Sequence, residues 1–216
     1  MKQLKFFGLI LIIFLSLFPE VDSTGIKNQI KTSAVKNPPV LDFKPGDILL
    51  IHIPDYDGTI WNIAYWSHSY LYLGSDIFIN ACGKGVMCTN SSKLWGVSAY
   101  SITNYAQLRV NGNFDVNKVI NFTKSKIGLP FDYLSLFLIT KQVNPTKGDF
   151  GYGYYCSELP WAAYIYGANI NLDSNRIGWV TPWNLYVSKH VTKIYVYDPN
   201  IIIPPRTRVF SELFNL

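Results

Sequence analysis

The sequence is poor in the side chains that hold metals and lacks the common cofactor-binding motifs. Only three histidines occur in 216 residues, and no two of them stand in the HxH or HExxH spacing of a zinc site. Neither a phosphate-binding P-loop nor a dinucleotide-binding glycine motif is present. We therefore expect a protein that works without a metal ion or an organic cofactor.

Runs of positive charge and internal repeats are missing as well. The formal net charge is +5, but the lysines and arginines are scattered, and no arginine-rich or aromatic–basic segment occurs. We therefore do not expect nucleic acid as a partner. A mildly basic surface suits an anionic cell wall or membrane surface. The absence of repeats predicts a single domain, which we expect to be a monomer.

The apolar run at the N-terminus is short for a membrane span. Residues 6–18 are apolar, follow Lys2 and Lys5, and precede the small-residue cleavage site Val21-Asp22-Ser23. A spanning helix needs about twenty residues, so an uncleaved anchor is the less favoured alternative. We predict a signal peptide over 1–23, a polar arm over 24–40 and one domain over 41–216. The mature protein is expected to be secreted or periplasmic.

What the chain has in abundance is apolar and aromatic side chains. Hydrophobic residues make up 49% and aromatic residues 16% of the sequence, as in a packed globular protein. Short β-branched runs alternate with helical patterns, which predicts an α+β fold with an antiparallel sheet. The main predicted elements are a buried strand over 48–53, a hairpin of 66–74 and 76–81, a helix from Asp115 to Ile127, and a helix from Cys156 to about Gly167.

A cysteine at the start of that last helix is the most informative residue. Cys156 follows a glycine- and tyrosine-rich approach and directly precedes the apolar helical pattern. The unpaired N–H groups of a helix N-terminus favour a thiolate over a thiol. Cys156 is therefore a candidate nucleophile. The alternative interpretation is a small hydrophobe at the edge of the core.

A nucleophilic thiolate needs a base and a group that orients the base. His52 lies within a buried strand pattern and His190 in a polar C-terminal segment, whereas His68 opens a strand. In a hairpin that turns near Ser75, His68 and Asn80 fall roughly opposite each other, within hydrogen-bonding reach. The sequence therefore predicts a Cys156–His68–Asn80 triad.

The other two cysteines flank a Gly-Lys-Gly turn. Cys82 and Cys88 lie six residues apart, which predicts that they are close enough for a disulfide if the flanking strands pair. Such a bridge leaves Cys156 as the free thiol of an odd set of three.

Several segments, in this order along residues 42–197, resemble motifs of the permuted NlpC-type, YiiX-like papain-fold hydrolases. The matching segments are Pro45-Gly46-Asp47-Ile48, His68-Ser69-Tyr70-Leu71-Tyr72-Leu73-Gly74, Asn80-Ala81 with Gly85-Val86, Ile127-Gly128-Leu129-Pro130-Phe131-Asp132-Tyr133, Tyr155-Cys156-Ser157-Glu158-Leu159 and Thr181-Pro182-Trp183-Asn184-Leu185-Tyr186. The resemblance implies a circularly permuted papain-like fold in which the histidine strand precedes the cysteine helix.

The same resemblance implies roles for individual residues. Cys156 is the nucleophile and His68 the base. The third position, where relatives often carry glutamate, is Asn80 here. The backbone N–H of Cys156 contributes to an oxyanion hole, and Tyr155 contributes a hydroxyl or walls the substrate pocket. The alternative role for Tyr155 is packing in the core.

The expected activity is that of a thiol hydrolase. The favoured substrate is an amide or peptide bond such as those of cell-wall peptides. A lipid-directed thiol acyltransferase or esterase is the second enzyme class, because the aromatic surplus suits an acyl chain equally well. The non-enzyme alternative is an inactive member that binds a ligand in the same cleft.

Overall fold

The computed structural model describes residues 42–54, 65–96, 102–138, 143–144, 148–149, 152–173 and 178–198. The predicted signal peptide (1–23) and arm (24–40) lie outside these ranges. The described residues belong to one compact unit, Ser33–Leu216. None of their helices has the length and apolar character needed to cross a bilayer.

Strands and helices in the described ranges follow the mixed pattern that the sequence predicts. The strands are β1 (Ile48–His52), β2 (His68–Gly74), β3 (Ile77–Cys82), β4 (Gly85–Asn90), β5 (Asn104–Val110), β6 (Val143–Asn144), β7 (Gly148–Asp149) and β8 (Val191–Tyr197). The helices are α1 (Ser91–Gly96), α2 (Val116–Lys124), α3 (Tyr133–Leu138), α4 (Glu158–Ala168) and α5 (Pro182–Val187).

Six of these strands form one antiparallel sheet in the order β4-β3-β2-β1-β5-β8. The strands β6 and β7 pair separately. The antiparallel sheet and its helices confirm the predicted mixture of helix and sheet. The apolar β1 lies between β2 and β5 and is buried along its whole length, which explains its lack of alternation.

The β2–β3 hairpin places the predicted base and its predicted partner on adjacent strands. Ser75 and Asp76 form its two-residue turn, and both have positive φ, 51° and 61°. Leu71 pairs with Ile79, so Asn80 falls opposite Tyr70 and lies two positions along the strand from His68. His68 and Asn80 are therefore diagonal neighbours on one face of the sheet, which agrees with the predicted placement roughly opposite each other.

Helix α4 is apolar on all sides because it is buried between the sheet and α2. Its side chains from Glu158 to Ile165 are all buried. Gly167 allows the close approach of α2, since a Cβ atom there would lie 2.6 Å from the Cα atom of Val119. Helix α2 begins at its Asp115 N-cap as predicted, but it ends at Lys124 and not at the predicted Ile127. Ile127 follows the end of the helix and is half exposed.

A buried carboxylate ties the start of β1 to β5. Asp47 accepts hydrogen bonds from the backbone N–H of Lys44 (2.8 Å), from Gln107 Nε2 (2.7 Å) and from Arg109 Nε and Nη2 (2.8 and 2.7 Å). We call these four residues the Asp47 network. It occupies the end of the sheet opposite to the start of β2, because Ile48 pairs with Leu71 and Ile51 with His68.

Candidate active site

Cys156 lies in the turn that leads into α4. Ser157 is the N-cap residue and Glu158 the first residue of the helix. Hydrogen bonds of the helical type already begin in this turn: the N–H of Leu159 donates to the carbonyl of Tyr155 (3.2 Å), and the N–H of Trp161 donates to that of Ser157 (3.4 Å). The turn holds Cys156 at the positive end of the helix, and the residue is partly exposed.

The structure brings the three predicted site residues together. The imidazole of His68, at the first position of β2, is hydrogen-bonded to the thiol of Cys156. Its Nε2 atom lies 3.3 Å from Asn80 Oδ1. Asn80 is buried, and its amide nitrogen donates to the carbonyl of Met87 on β4 (3.4 Å), which fixes the amide with its oxygen toward the ring. With Nε2–H donating to Asn80, Nδ1 is the nitrogen that can accept the thiol proton.

The thiol and the imidazole each stabilise the charged form of the other. Burial by itself raises the pKa of Cys156, but the charge of His68 and hydrogen bonds from His68 and the Ser69 backbone outweigh it, so this pKa is lowered. Burial likewise lowers the pKa of His68, but the charge of Cys156 and hydrogen bonds with Cys156 and Asn80 raise it overall. Both shifts favour a thiolate–imidazolium pair.

Ser69 is a contact of Cys156 that the sequence patterns do not predict. Its hydroxyl donates to the carbonyl of Cys156 (2.8 Å), and its backbone is hydrogen-bonded to the Cys156 side chain. Ser69 is fully buried. The two residues are 87 positions apart in the chain, so no local pattern could reveal the contact.

Tyr155 does not have the position expected of a substrate or oxyanion contact. Its side chain is only 2% exposed, and its hydroxyl accepts from the backbone N–H of Val180 (2.9 Å). The hydroxyl of Ser157 donates to the carbonyl of Val180 (2.6 Å). These contacts agree with the packing alternative for Tyr155 and not with a place in the substrate pocket. Together with Ser157, it anchors the segment before α5 against the turn that carries Cys156.

The predicted Cys82–Cys88 disulfide is also wrong. In the β3–β4 hairpin, Cys82 pairs with Gly85 and Cys88 pairs with Ile79. The two cysteines are thus offset by three positions, about 10 Å along the strands, and their side chains lie on opposite faces of the sheet. All three cysteines are free. The pKa of Cys88 is raised, because burial outweighs the nearby charge of Lys124, whereas the pKa of Cys156 is lowered.

The two remaining histidines have other surroundings. The Nδ1 atom of His52 lies 2.6 Å from the carbonyl oxygen of Tyr65, and the two rings stack. His190 precedes β8, and its backbone carbonyl accepts from Asn111. Glu158, which the sequence places in the first turn of α4, is there and is fully buried. Across the described ranges, no three His, Cys, Asp or Glu side chains form a group able to hold a metal ion.

Comparison with known proteins gives one distant structural similarity. The chain is similar to the crystal structure of the metalloprotein YiiX from Escherichia coli O157:H7, with 16% sequence identity and a TM-score of 0.44. The similarity covers 72% of this chain and 98% of the YiiX chain. No protein-family profile and no curated protein matches the sequence.

Proposed function

We propose that the protein is a secreted cysteine hydrolase with a circularly permuted papain-like fold that cleaves an amide or peptide bond, of the kind found in cell-wall peptides. The observation that carries the proposal is the Cys156–His68–Asn80 constellation, in which the pKa of the thiol is lowered and that of the imidazole is raised. Perturbed pairs of this kind, at a partly exposed position, are typical of nucleophilic cysteines.

In the proposed reaction, the Cys156 thiolate attacks the carbonyl carbon of the substrate and forms a carbon–sulfur bond. The backbone N–H of Cys156 stabilises the oxyanion at the helix N-terminus. The His68 imidazolium then protonates the leaving amine as the carbon–nitrogen bond breaks. A water molecule then attacks the carbonyl carbon of the acyl enzyme while His68 takes a proton from that water. The carbon–sulfur bond breaks, the carboxylic acid product departs, and the thiolate–imidazolium pair is restored.

A lipid-directed thiol acyltransferase or esterase is the second candidate function, and exposed apolar side chains favour it. Met87 pairs with Asn80 across the β3–β4 hairpin and is exposed, as are Tyr133 and Leu134. The hydroxyl of Tyr133 lies next to the tip of that hairpin, 3.1 Å from where a Cβ atom on Gly83 would be. An acyl chain is a chemically suitable neighbour for these side chains.

The first test is thiol reactivity in a Cys82→Ser/Cys88→Ser background, where Cys156 is the sole thiol of the original three. We expect iodoacetamide to label Cys156 at pH 6 faster than it labels a free cysteine, because the pKa of Cys156 is lowered. The additional change His68→Ala should slow labelling to the rate of an ordinary thiol. Equal rates with and without His68 would contradict the proposed pair.

The second test is hydrolysis by the same protein of short γ-D-glutamyl and lysine amides and of phospholipid esters, with Cys156→Ala as the blank. Cleavage of the amides that requires Cys156 supports the peptide hydrolase. Release of fatty acid alone supports the lipid-directed alternative. A reactive thiol that turns over neither substrate class points to an inactive, ligand-binding member.

A further inference from the structure

The carbonyl oxygen of Cys156 has lost its helical donor. In the first turn of an α-helix, the carbonyl of residue i accepts from the N–H of residue i+4. Tyr155 and Ser157 follow this rule, accepting from Leu159 and Trp161. The corresponding donor for Cys156 is residue 160, which is proline and has no N–H. The nucleophile is thus the residue whose carbonyl requires a partner from elsewhere in the fold.

That partner comes from the strand that carries the base. Ser69 directly follows His68 on β2, and its hydroxyl donates to the Cys156 carbonyl at 2.8 Å. The same residue is hydrogen-bonded through its backbone to the Cys156 side chain, an interaction that lowers the pKa of the thiol. A backbone group that stabilises a thiolate in this way is a donating N–H. Ser69 therefore holds both the backbone and the sulfur of the nucleophile.

We infer that Ser69 is a positioning residue that fixes the distance between Cys156 and His68. Its two hydrogen bonds join the nucleophile turn to the residue adjacent to the base, and Pro160 makes this link necessary by removing the competing helical donor. Ser69 is fully buried in a strand paired on both sides, so it offers a rigid reference. The inference rests on the proposed function for its catalytic meaning, but the contacts are independent of any substrate.

The experiment measures the pH dependence of Cys156 alkylation in the Cys82→Ser/Cys88→Ser background, together with Tm. We expect Ser69→Ala to raise the pKa of Cys156 by about one unit, which is about a tenfold loss of alkylation rate below that pKa. Tm should fall by several degrees, because a buried carbonyl loses its donor. Ser69→Thr keeps a hydroxyl and should keep the wild-type pH profile.

A double variant distinguishes a positioning role of Ser69 from the mere supply of a hydrogen-bond donor to the Cys156 carbonyl. Pro160→Ala supplies the missing N–H, so Ser69→Ala/Pro160→Ala should regain much of the lost Tm and should fold even where Ser69→Ala alone does not. The pKa of its thiol should stay raised, since the hydroxyl bond that ties the Cys156 carbonyl to β2 is still missing. Thr123→Val, which removes a buried hydroxyl that donates to the Val119 carbonyl in α2, should lower Tm and leave the pH profile unchanged.

Two results would overturn the inference. One is a Ser69→Ala protein with the wild-type alkylation profile, and the other is a double variant in which both Tm and the profile return to wild type. Neither depends on hydrolysis, so the positioning role and the proposed activity fail separately. A protein without hydrolytic activity that shows the predicted pKa pattern keeps the positioning role and loses the hydrolase.

Discussion

In the proposed hydrolase, Asn80 acts by holding the imidazole ring. Its oxygen lies 3.3 Å from Nε2 of His68, and its nitrogen is fixed by the Met87 carbonyl. The amide orients the ring. Because it carries no charge, it stabilises the imidazolium less than a carboxylate would. The residue that replaces it should therefore set both the rate and the pH range of catalysis.

Substitution of Asn80 should shift the alkaline limb of the pH profile of kcat/KM, which reports loss of the imidazolium proton. The hydrogen bond with Asn80 raises the pKa of His68, so Asn80→Ala should move the limb to lower pH and lower kcat/KM by about tenfold. Asn80→Asp places a negative charge beside the ring and should move the limb to higher pH. His190→Gln is the control and should change neither. An alkaline limb of the kcat/KM profile at the same pH in all variants would exclude Asn80 from the site.

The sequence predicts the residues of this site better than their supporting contacts. Cys156, His68 and Asn80 follow from the helix start and the hairpin, which are local patterns. Ser69 could not be predicted, because its contact with Cys156 depends on how α4 docks on the sheet. The same holds for Tyr155, whose hydroxyl is held in the core by Val180, a residue 25 positions away.

At the scale of elements, the crossing of α2 and α4 depends on a glycine. Gly167→Ala would place a Cβ atom 2.6 Å from both the Cα and N atoms of Val119. Alanine normally stabilises a helix relative to glycine by about 1 kcal/mol, but here the clash with backbone should prevail and lower the free energy of unfolding by about 1–3 kcal/mol. Urea denaturation followed by circular dichroism measures this difference.

Gly128 offers a control for that prediction. It has φ of +88° and open space around the position of a Cβ atom. Asparagine tolerates the left-handed conformation, so Gly128→Asn should lower the free energy of unfolding by less than Gly167→Ala does. The reverse order of the two variants would show that backbone conformation, and not the helix crossing, limits substitution.

Elements with strong local signals were predicted well and the others were not. The turn at Ser75 and Asp76, the Asp115 cap and the Thr181 cap of α5 all appear where the sequence indicates them. Helix α1 is only six residues long, has no comparable signal and was not predicted. The register of the β3–β4 hairpin decided the disulfide question, since its two-residue turn puts Cys82 opposite Gly85 and out of reach of Cys88.

At the scale of the whole molecule, the Asp47 network holds β1 and β5 at the end of the sheet away from the proposed site. Asp47 is 1% exposed and its charge is balanced by Arg109. Arg109→Met should therefore lower the free energy of unfolding by about 2–3 kcal/mol, because it leaves a buried carboxylate without its cation. Chemical denaturation measures the loss.

Neutralising the carboxylate should reverse much of that loss. The double variant Asp47→Asn/Arg109→Met has no buried charge to stabilise, so its stability should exceed that of Arg109→Met alone. Alkylation of Cys156 at pH 6 should be equal in the wild type and in the folded variants, since the network lies at the other end of the sheet. A large change in the labelling rate would contradict this separation.

The fold as a whole could be predicted from the sequence only as a class. The mixture of an antiparallel sheet with helices follows from the patterns, but the strand order does not. The pairing of β8 with β5 joins segments more than 80 residues apart, since Tyr105 pairs with Tyr197, and it is set by packing rather than by any turn. Stacked tyrosine rings, Tyr195 and Tyr197 on Tyr105, accompany this pairing.

The hydrogen bond between Ser69 and Cys156 also has a consequence during biosynthesis. It spans 87 positions, so an emerging or unfolded chain carries a cysteine of ordinary reactivity, and the acidic thiol arises only when α4 docks beside β2. The raised reactivity proposed for Cys156 should therefore appear only once α4 has docked beside β2. In refolding experiments, the rate of Cys156 labelling at pH 6 would report the time at which α4 docks.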